Sequence, residues 1–131
     1  MATAAIRSRG LGFPQGLEPQ VIVTRHALDR YSERARAEVA AHRATEMTGH
    51  VLAGLDDGSI LRAATGIHLL PVRSSGGRWL CLVLGMKGTI EEPHSVIIYT
   101  VLTQAMAIET FGHVIGLIGA MSGPRCRGAA A

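Results

Sequence analysis

The chain has 131 residues, 47% of them hydrophobic and 18% charged, which indicates one globular domain and excludes a disordered polymer. The formal charge is +3, and all but one of the 13 cationic residues are arginine, which can grip phosphate with two parallel hydrogen bonds. Aromatic residues make up only 4%, which disfavours a nucleic-acid surface built on stacked rings. Two cysteines are too few for a disulfide framework and, with no secretory leader in the first ten residues, predict a cytoplasmic protein.

The first elements are a flexible arm, a short strand and a helix. Glycine and proline recur through residues 1–19, which favours the arm. The β-branched run VIVT then predicts a strand, and Thr24 at its end is a good N-cap for the helix that follows. Two apolar stripes in the helical region have different directions, so we expect a break near residues 36–40 before the region ends at DDGS.

The second half of the chain has the composition of strands. The runs SILRAATGIHLLPV, RWLCLVLGM and SVIIYTVLT are apolar and rich in branched residues, with turn chemistry between them. The last two runs are apolar on both alternations, as in central strands. Gly66 and Pro71 are two positions at which the first run can divide. The expected fold is α+β: N-terminal helices packed on an antiparallel sheet of three to four strands, in a domain of residues 20–104.

An apolar helical segment is expected at residues 105–121, followed by a frayed tail at 122–131. The inward stripe of that segment is predicted to be Ala107, Phe111, Val114, Ile118 and Met121. Glu109 and His113 interrupt it, so we expect no membrane span and favour packing on the domain or a homo-oligomer contact.

Candidate chemistry lies on the first helix, in the stretch RHALDRYSER. His26, Arg30 and Arg34 recur every four residues on the side away from Leu28, and this spacing places them together on an accessible face. The positive end of the helix dipole disfavours a protonated imidazole at His26, so this residue can act as a general base. The alternative is a salt-bridged solvent face, in which Asp29 and Glu33 pair with the arginines.

Other recognisable sites are missing from the sequence. It has no HExxH motif and no paired CxxC, so neither a metal site nor a cofactor is expected. It also lacks a Walker loop, a dinucleotide-binding glycine fingerprint and a GxSxG elbow, which disfavours nucleotide hydrolysis and triad esterase chemistry.

The order of strand, RHALDRYSER helix, second helical stretch and strands ending in IIYTVLT resembles the RelE-like toxins of bacteria and phages. These belong to the wider barnase, EndoU, colicin and RelE ribonuclease fold, and the resemblance covers about residues 20–105. It implies metal-independent cleavage of RNA, in which a ribose 2′-hydroxyl attacks the adjacent phosphate. His26 would then be the acid or base, and Arg30 and Arg34 would stabilise the phosphorane.

Hydroxyls of the last strand are the other candidates that the resemblance implies. Tyr99, Thr100 and Thr103 could orient a phosphate or a base, but strand alternation sends Tyr99 and Thr103 to one face and Thr100 to the other. The expected partners are RNA or another phosphate polymer and an antitoxin. A second hypothesis is a non-catalytic phage or host assembly module, whose arginine-rich helix binds nucleic acid or an acidic protein. A third is an inactive inhibitor of a host nuclease or of the ribosome.

Overall fold

A computed structural model describes residues 19–35, 43–74, 77–90 and 92–122 of the chain. Within these residues it forms five strands and four helices in an α+β arrangement. In chain order the elements are β1 (Gln20–Val23), α1 (Arg25–Ala35), α2 (Arg43–Asp57), β2 (Leu61–Ala64), β3 (Ile67–Arg73), β4 (Trp79–Gly88), β5 (Pro93–Thr103), α3 (Gln104–Phe111) and α4 (Leu117–Ser122).

The described strands form one mixed sheet in the order β1-β5-β4-β3-β2. Strands β2 to β5 are joined in sequence by antiparallel pairing, whereas β1 lies parallel to β5 with Val23 opposite Ile98. The expected antiparallel sheet of three to four strands is therefore corrected to a mixed sheet of five. The reason is that the chain passes through α1 and α2 before the hairpins begin, so β1 joins the far edge by a crossover and not by a turn.

Helices cover both faces of the sheet. The α1–α2 face carries the larger core, where Leu80, Leu82 and Leu84 of β4 pack with the two helices. The α3–α4 face carries a second core around Cys81 and Val83. The central position expected for the fourth and fifth strands is confirmed, because each has a strand on both sides. The C-terminal helices α3 and α4 thus form a second helical layer, on the sheet face opposite α1 and α2.

Several local predictions can be compared with the structure residue by residue. Gly66, with a φ of 77°, forms the turn between β2 and β3, while Pro71 stays inside β3. Cys81 is buried in the core, as expected of a small apolar residue. The two N-terminal helices are separate elements, but the break expected at residues 36–40 lies outside the described residues, as do the 1–18 part of the arm and residues 123–131 of the tail.

The apolar C-terminal segment folds as two short helices and packs on the sheet. Gly112 ends α3, and Gly116, with a φ of 91°, precedes α4. This interruption changes the phase of the predicted stripe, so that Leu117 is buried where Ile118 was expected, and Ile118 is 48% exposed. Ala107 and Met121 are buried as predicted. No described helix is both long and apolar enough to cross a bilayer.

Candidate nucleic-acid interface on α1

Thr24 fixes the point at which β1 ends and α1 begins. Its Oγ1 accepts a hydrogen bond from the backbone nitrogen of Ala27 at 3.1 Å, which confirms the expected N-cap. The same hydroxyl lies 2.9 Å from the carbonyl oxygen of Ile98 and 3.2 Å from that of Tyr99, both of which can accept its proton. One side chain therefore joins the start of α1 to β5.

His26 lies in the first turn of α1 and is exposed. Among the described residues its side chain has no hydrogen-bond or charged partner. An exposed imidazole without an internal partner is free to contact a ligand from solution. His26 is therefore accessible, as the sequence predicted.

Arg30 is held by a carboxylate on the same helix. Its Nη1 atom lies 2.6 Å from Oε1 and 2.7 Å from Oε2 of Glu33. This is the ion pair that the salt-bridged alternative anticipated. Both contacts use the same nitrogen, so Nη2 and Nε of Arg30 retain their donor capacity.

Arg34 is turned toward the sheet and not fully into solvent. Its Nη1 atom donates to the carbonyl oxygen of Val101 in β5 at 2.6 Å. Strand β1 pairs with β5 only as far as Ile98, and α1 occupies the space beside the following residues of β5. The expectation that Arg34 points away from the core is therefore corrected, because the end of β1 leaves a backbone acceptor for it.

The hydroxyls of β5 are dispersed by an irregularity in the strand. Thr100 lies opposite Val83 and Ile98 opposite Leu84, so Tyr99 is an extra residue in the ladder. The Tyr99 ring lies over Gly85, on the α3–α4 face, where a Cβ at Gly85 would collide with the ring and its hydroxyl.

Thr103 lies opposite Leu80, and therefore on the α1–α2 face. Its Oγ1 accepts from the backbone nitrogen of Met106 at 3.3 Å and caps α3. Tyr99 and Thr103 were expected on one face, and this expectation is wrong because the extra residue reverses the alternation. The structure thus brings His26, Arg30 and Arg34 onto one helix but separates the two strand hydroxyls from each other.

A second polar group of residues lies between α1 and α2. Tyr31 is buried and its hydroxyl donates to Oε1 of Glu46. His50 lies one turn after Glu46, and its buried Nε2 has no hydrogen-bond partner in the part of the chain that the structure describes. Burial raises the pKa of Tyr31 well above 10.0, and the hydrogen bond to Glu46 and its charge add to this rise. Burial lowers the pKa of His50, while the Glu46 charge opposes that change.

No sequence motif joins these three residues, which lie on two different helices. The available indications were the inward position of a tyrosine, whose hydroxyl needs a partner when buried, and the four-residue spacing of Glu46 and His50.

Among the described residues, no set of three or more histidine, cysteine, aspartate or glutamate side chains is placed to hold an ion. No protein-family model, curated protein or solved structure matches the chain.

Proposed function

We propose that the chain binds RNA through the α1 cationic face, defined by His26, Arg30 and Arg34. The observation that carries the proposal is an accessible imidazole on the same helix as two guanidiniums, each of which engages one nitrogen internally and has further donors. A guanidinium with Nη2 and Nε available can donate two parallel hydrogen bonds to one phosphate.

The Arg30–Glu33 pair does not prevent this use of Arg30. The two side chains are 34% and 54% exposed, and pairs of this kind contribute only about 0.2 to 0.5 kcal/mol on a helix surface. A phosphate can therefore replace Glu33 at small cost.

Arg34 contributes a side chain that is already held in place, as well as a charge. Its hydrogen bond to Val101 restricts the long side chain before a ligand arrives, and this lowers the entropy lost on binding. Because His26 and Arg34 lie near opposite ends of the helix, the face extends over eight residue steps of α1, or about 12 Å. That length admits more than one phosphate of an extended single strand.

Cleavage of the bound RNA is the second candidate function, and the exposed, unpartnered imidazole of His26 favours it. His26 would take the proton of a ribose 2′-hydroxyl, whose oxygen attacks the adjacent phosphorus. The 5′-oxygen would leave with a proton from a second acid, yielding a cyclic phosphate and a free 5′-hydroxyl. Binding is the better supported candidate, because the Thr103 hydroxyl caps α3 and Tyr99 lies on the opposite sheet face.

The binding experiment measures the affinity of a labelled single-stranded RNA by fluorescence anisotropy, in the presence of a chelator. Arg30→Ala should weaken binding by about tenfold, the effect of losing one charged hydrogen-bond contact. Arg62→Ala is the matched control, since Arg62 is exposed on β2 at the opposite edge of the sheet and should leave the affinity unchanged. Equal effects of the two substitutions would contradict a specific α1 face.

The same samples separate binding from cleavage. Intact RNA after long incubation, with affinity reduced by Arg30→Ala, assigns a binding module. Metal-independent products bearing a cyclic phosphate, lost in His26→Ala by a factor of about 10² or more, assign the ribonuclease. If RNA does not bind and an acidic polypeptide does, the partner is an antitoxin or another acidic protein.

Self-association through residues 105–121 is a further part of the proposal. Ile115 is 93% exposed in the turn between α3 and α4, and Ile118 follows it at 48%. A second copy that covers both would remove this apolar area from water. Light scattering over a concentration series tests it: a dimer in the wild type that Ile115→Asp converts to a monomer supports the contact, and a monomer throughout rejects it.

A further inference from the structure

Tyr31 and Glu46 connect α1 to α2 through a side-chain hydrogen bond. The tyrosine has no solvent-exposed surface, and Glu46 lies in the first turn of α2. A buried phenol that loses its acceptor is destabilising, because its hydroxyl is left without the hydrogen bond that water would otherwise supply. The relative position of the two helices therefore depends on Glu46 remaining available to Tyr31.

His50 is the neighbour that can compete for Glu46. It follows Glu46 by four residues, which places both side chains on the same side of α2. Its Nε2 atom is buried and has no hydrogen-bond partner among the described residues, and a buried polar atom in this state has a strong tendency to acquire a partner. A protonated imidazole would find that partner in the carboxylate one turn before it.

The surroundings contain no described charge that could take the role of Glu46. Helix α2 packs on β1 and β3, whose side chains in this core are apolar: Val21, Val23, Leu70 and Val72. From α1 the facing titratable group is Tyr31, whose proton is already donated to Glu46. Among the described residues, Glu46 is the charged group whose field acts on His50.

We propose that Tyr31, Glu46 and His50 form a pH-sensitive latch that holds α1 on α2, and that protonation of His50 opens it. The imidazolium draws the Glu46 carboxylate to itself, and the Tyr31 hydroxyl loses its acceptor. Helix α1 then loosens from α2 while the sheet, held by its own ladder, stays intact. The proposal of a latch does not rest on the proposal of RNA binding, since it is argued from residues on the inward side of α1.

The direction of the pH effect follows from burial, which disfavours the charged imidazole. The pKa of His50 in the folded protein lies below the 6.5 of an unfolded chain, so the unfolded or open state takes up the proton first. Stability from the neutral form is present above about pH 6.5 and is lost as the pH falls through 6.5 toward the folded pKa.

Hydrogen exchange of the full chain at about pH 7.5 and about pH 5.5, corrected for intrinsic rates, tests the latch. The opening equilibrium of the α1 amides should increase on acidification, by up to tenfold for each pH unit between the two pKa values. Protection in β4 should change less. His50→Gln should abolish the increase in α1, whereas His113→Gln, at an exposed turn residue, should retain it. An unchanged increase in His50→Gln would overturn the proposal.

Tyr31→Phe provides a second test, which does not depend on how well His50→Gln folds. Without the hydroxyl there is no bond for protonated His50 to break, so α1 should already exchange rapidly at neutral pH and respond little to acid. If acid increases α1 exchange in Tyr31→Phe as much as in the wild type, His50 does not act through the Tyr31–Glu46 bond, and the latch is rejected.

Discussion

Arg34 donates a hydrogen bond of 2.6 Å from Nη1 to the carbonyl oxygen of Val101, so the last turn of α1 is attached to β5. Thr24 makes the corresponding attachment at the first turn through Ile98. Helix α1 is thus fixed at both ends along β5, from Ile98, where the pairing with β1 stops, to Val101. This arrangement gives the α1 cationic face a defined position on the sheet.

Replacement of Arg34 should therefore affect stability more than replacement of Arg30. We expect Arg34→Ala to lower the free energy of unfolding by about 1 to 2 kcal/mol, because it removes a charged donor from a backbone acceptor. Arg30→Ala should change it by less than about 0.5 kcal/mol, since its partner is an exposed carboxylate. Urea denaturation of the two variants measures both values. Equal losses would show that the contact with Val101 does not fasten the helix.

Thr24→Ala should destabilise the protein through the loss of the N-cap. The expected decrease in the free energy of unfolding is about 1 to 2 kcal/mol, since both the cap and the contact with Ile98 are lost. Thr24→Ser keeps the hydroxyl and should retain most of the stability. Thermal denaturation compares the three proteins. If the serine variant is as unstable as the alanine variant, the destabilisation comes from loss of the threonine methyl group and not of the hydroxyl.

Of the two contacts that attach α1 to β5, the sequence predicts part of the one at Thr24 and nothing of the one at Arg34. The N-cap at Thr24 depends on residues a few positions apart, and the central position of β4 follows from its own apolar composition, so both were predicted. The attachment of Arg34 to Val101 spans 67 residues and depends on where β1 stops. No local pattern contains that information.

The same limit applies to the candidate site. The spacing of His26, Arg30 and Arg34 on one helix follows from helical periodicity alone, but the structure turns Arg34 from the expected outward direction toward β5. The separation of Tyr99 from Thr103 arises from one extra residue in β5 relative to β4, which is a property of pairing between strands. The link from Tyr31 to Glu46 likewise requires two helices to be placed side by side.

The stability of the protein at alkaline pH should depend on the buried hydroxyl of Tyr31. The pKa of Tyr31 is raised above 10.0 in the folded protein, so above about pH 10 only the unfolded state releases this proton. Stability from Tyr31 is complete below that pH and should fall by about 1.4 kcal/mol for each pH unit above it. Tyr31→Phe should be less stable at neutral pH and should lack this component. Identical slopes above pH 10 for both proteins would contradict a buried, hydrogen-bonded phenol.

Titration of the isotope-labelled protein with a single-stranded RNA, followed by NMR, tests the binding proposal most directly. We expect the largest shift changes at the amides of α1 from Arg25 to Arg34 and at the guanidinium Nε resonances of Arg30 and Arg34. The resonances of Arg62 and of the turn around Ile115 should not move. Shifts that concentrate at Arg62 or Ile115 and leave α1 unchanged, or no shift at any RNA concentration, would contradict the assignment of α1 as an RNA-binding face.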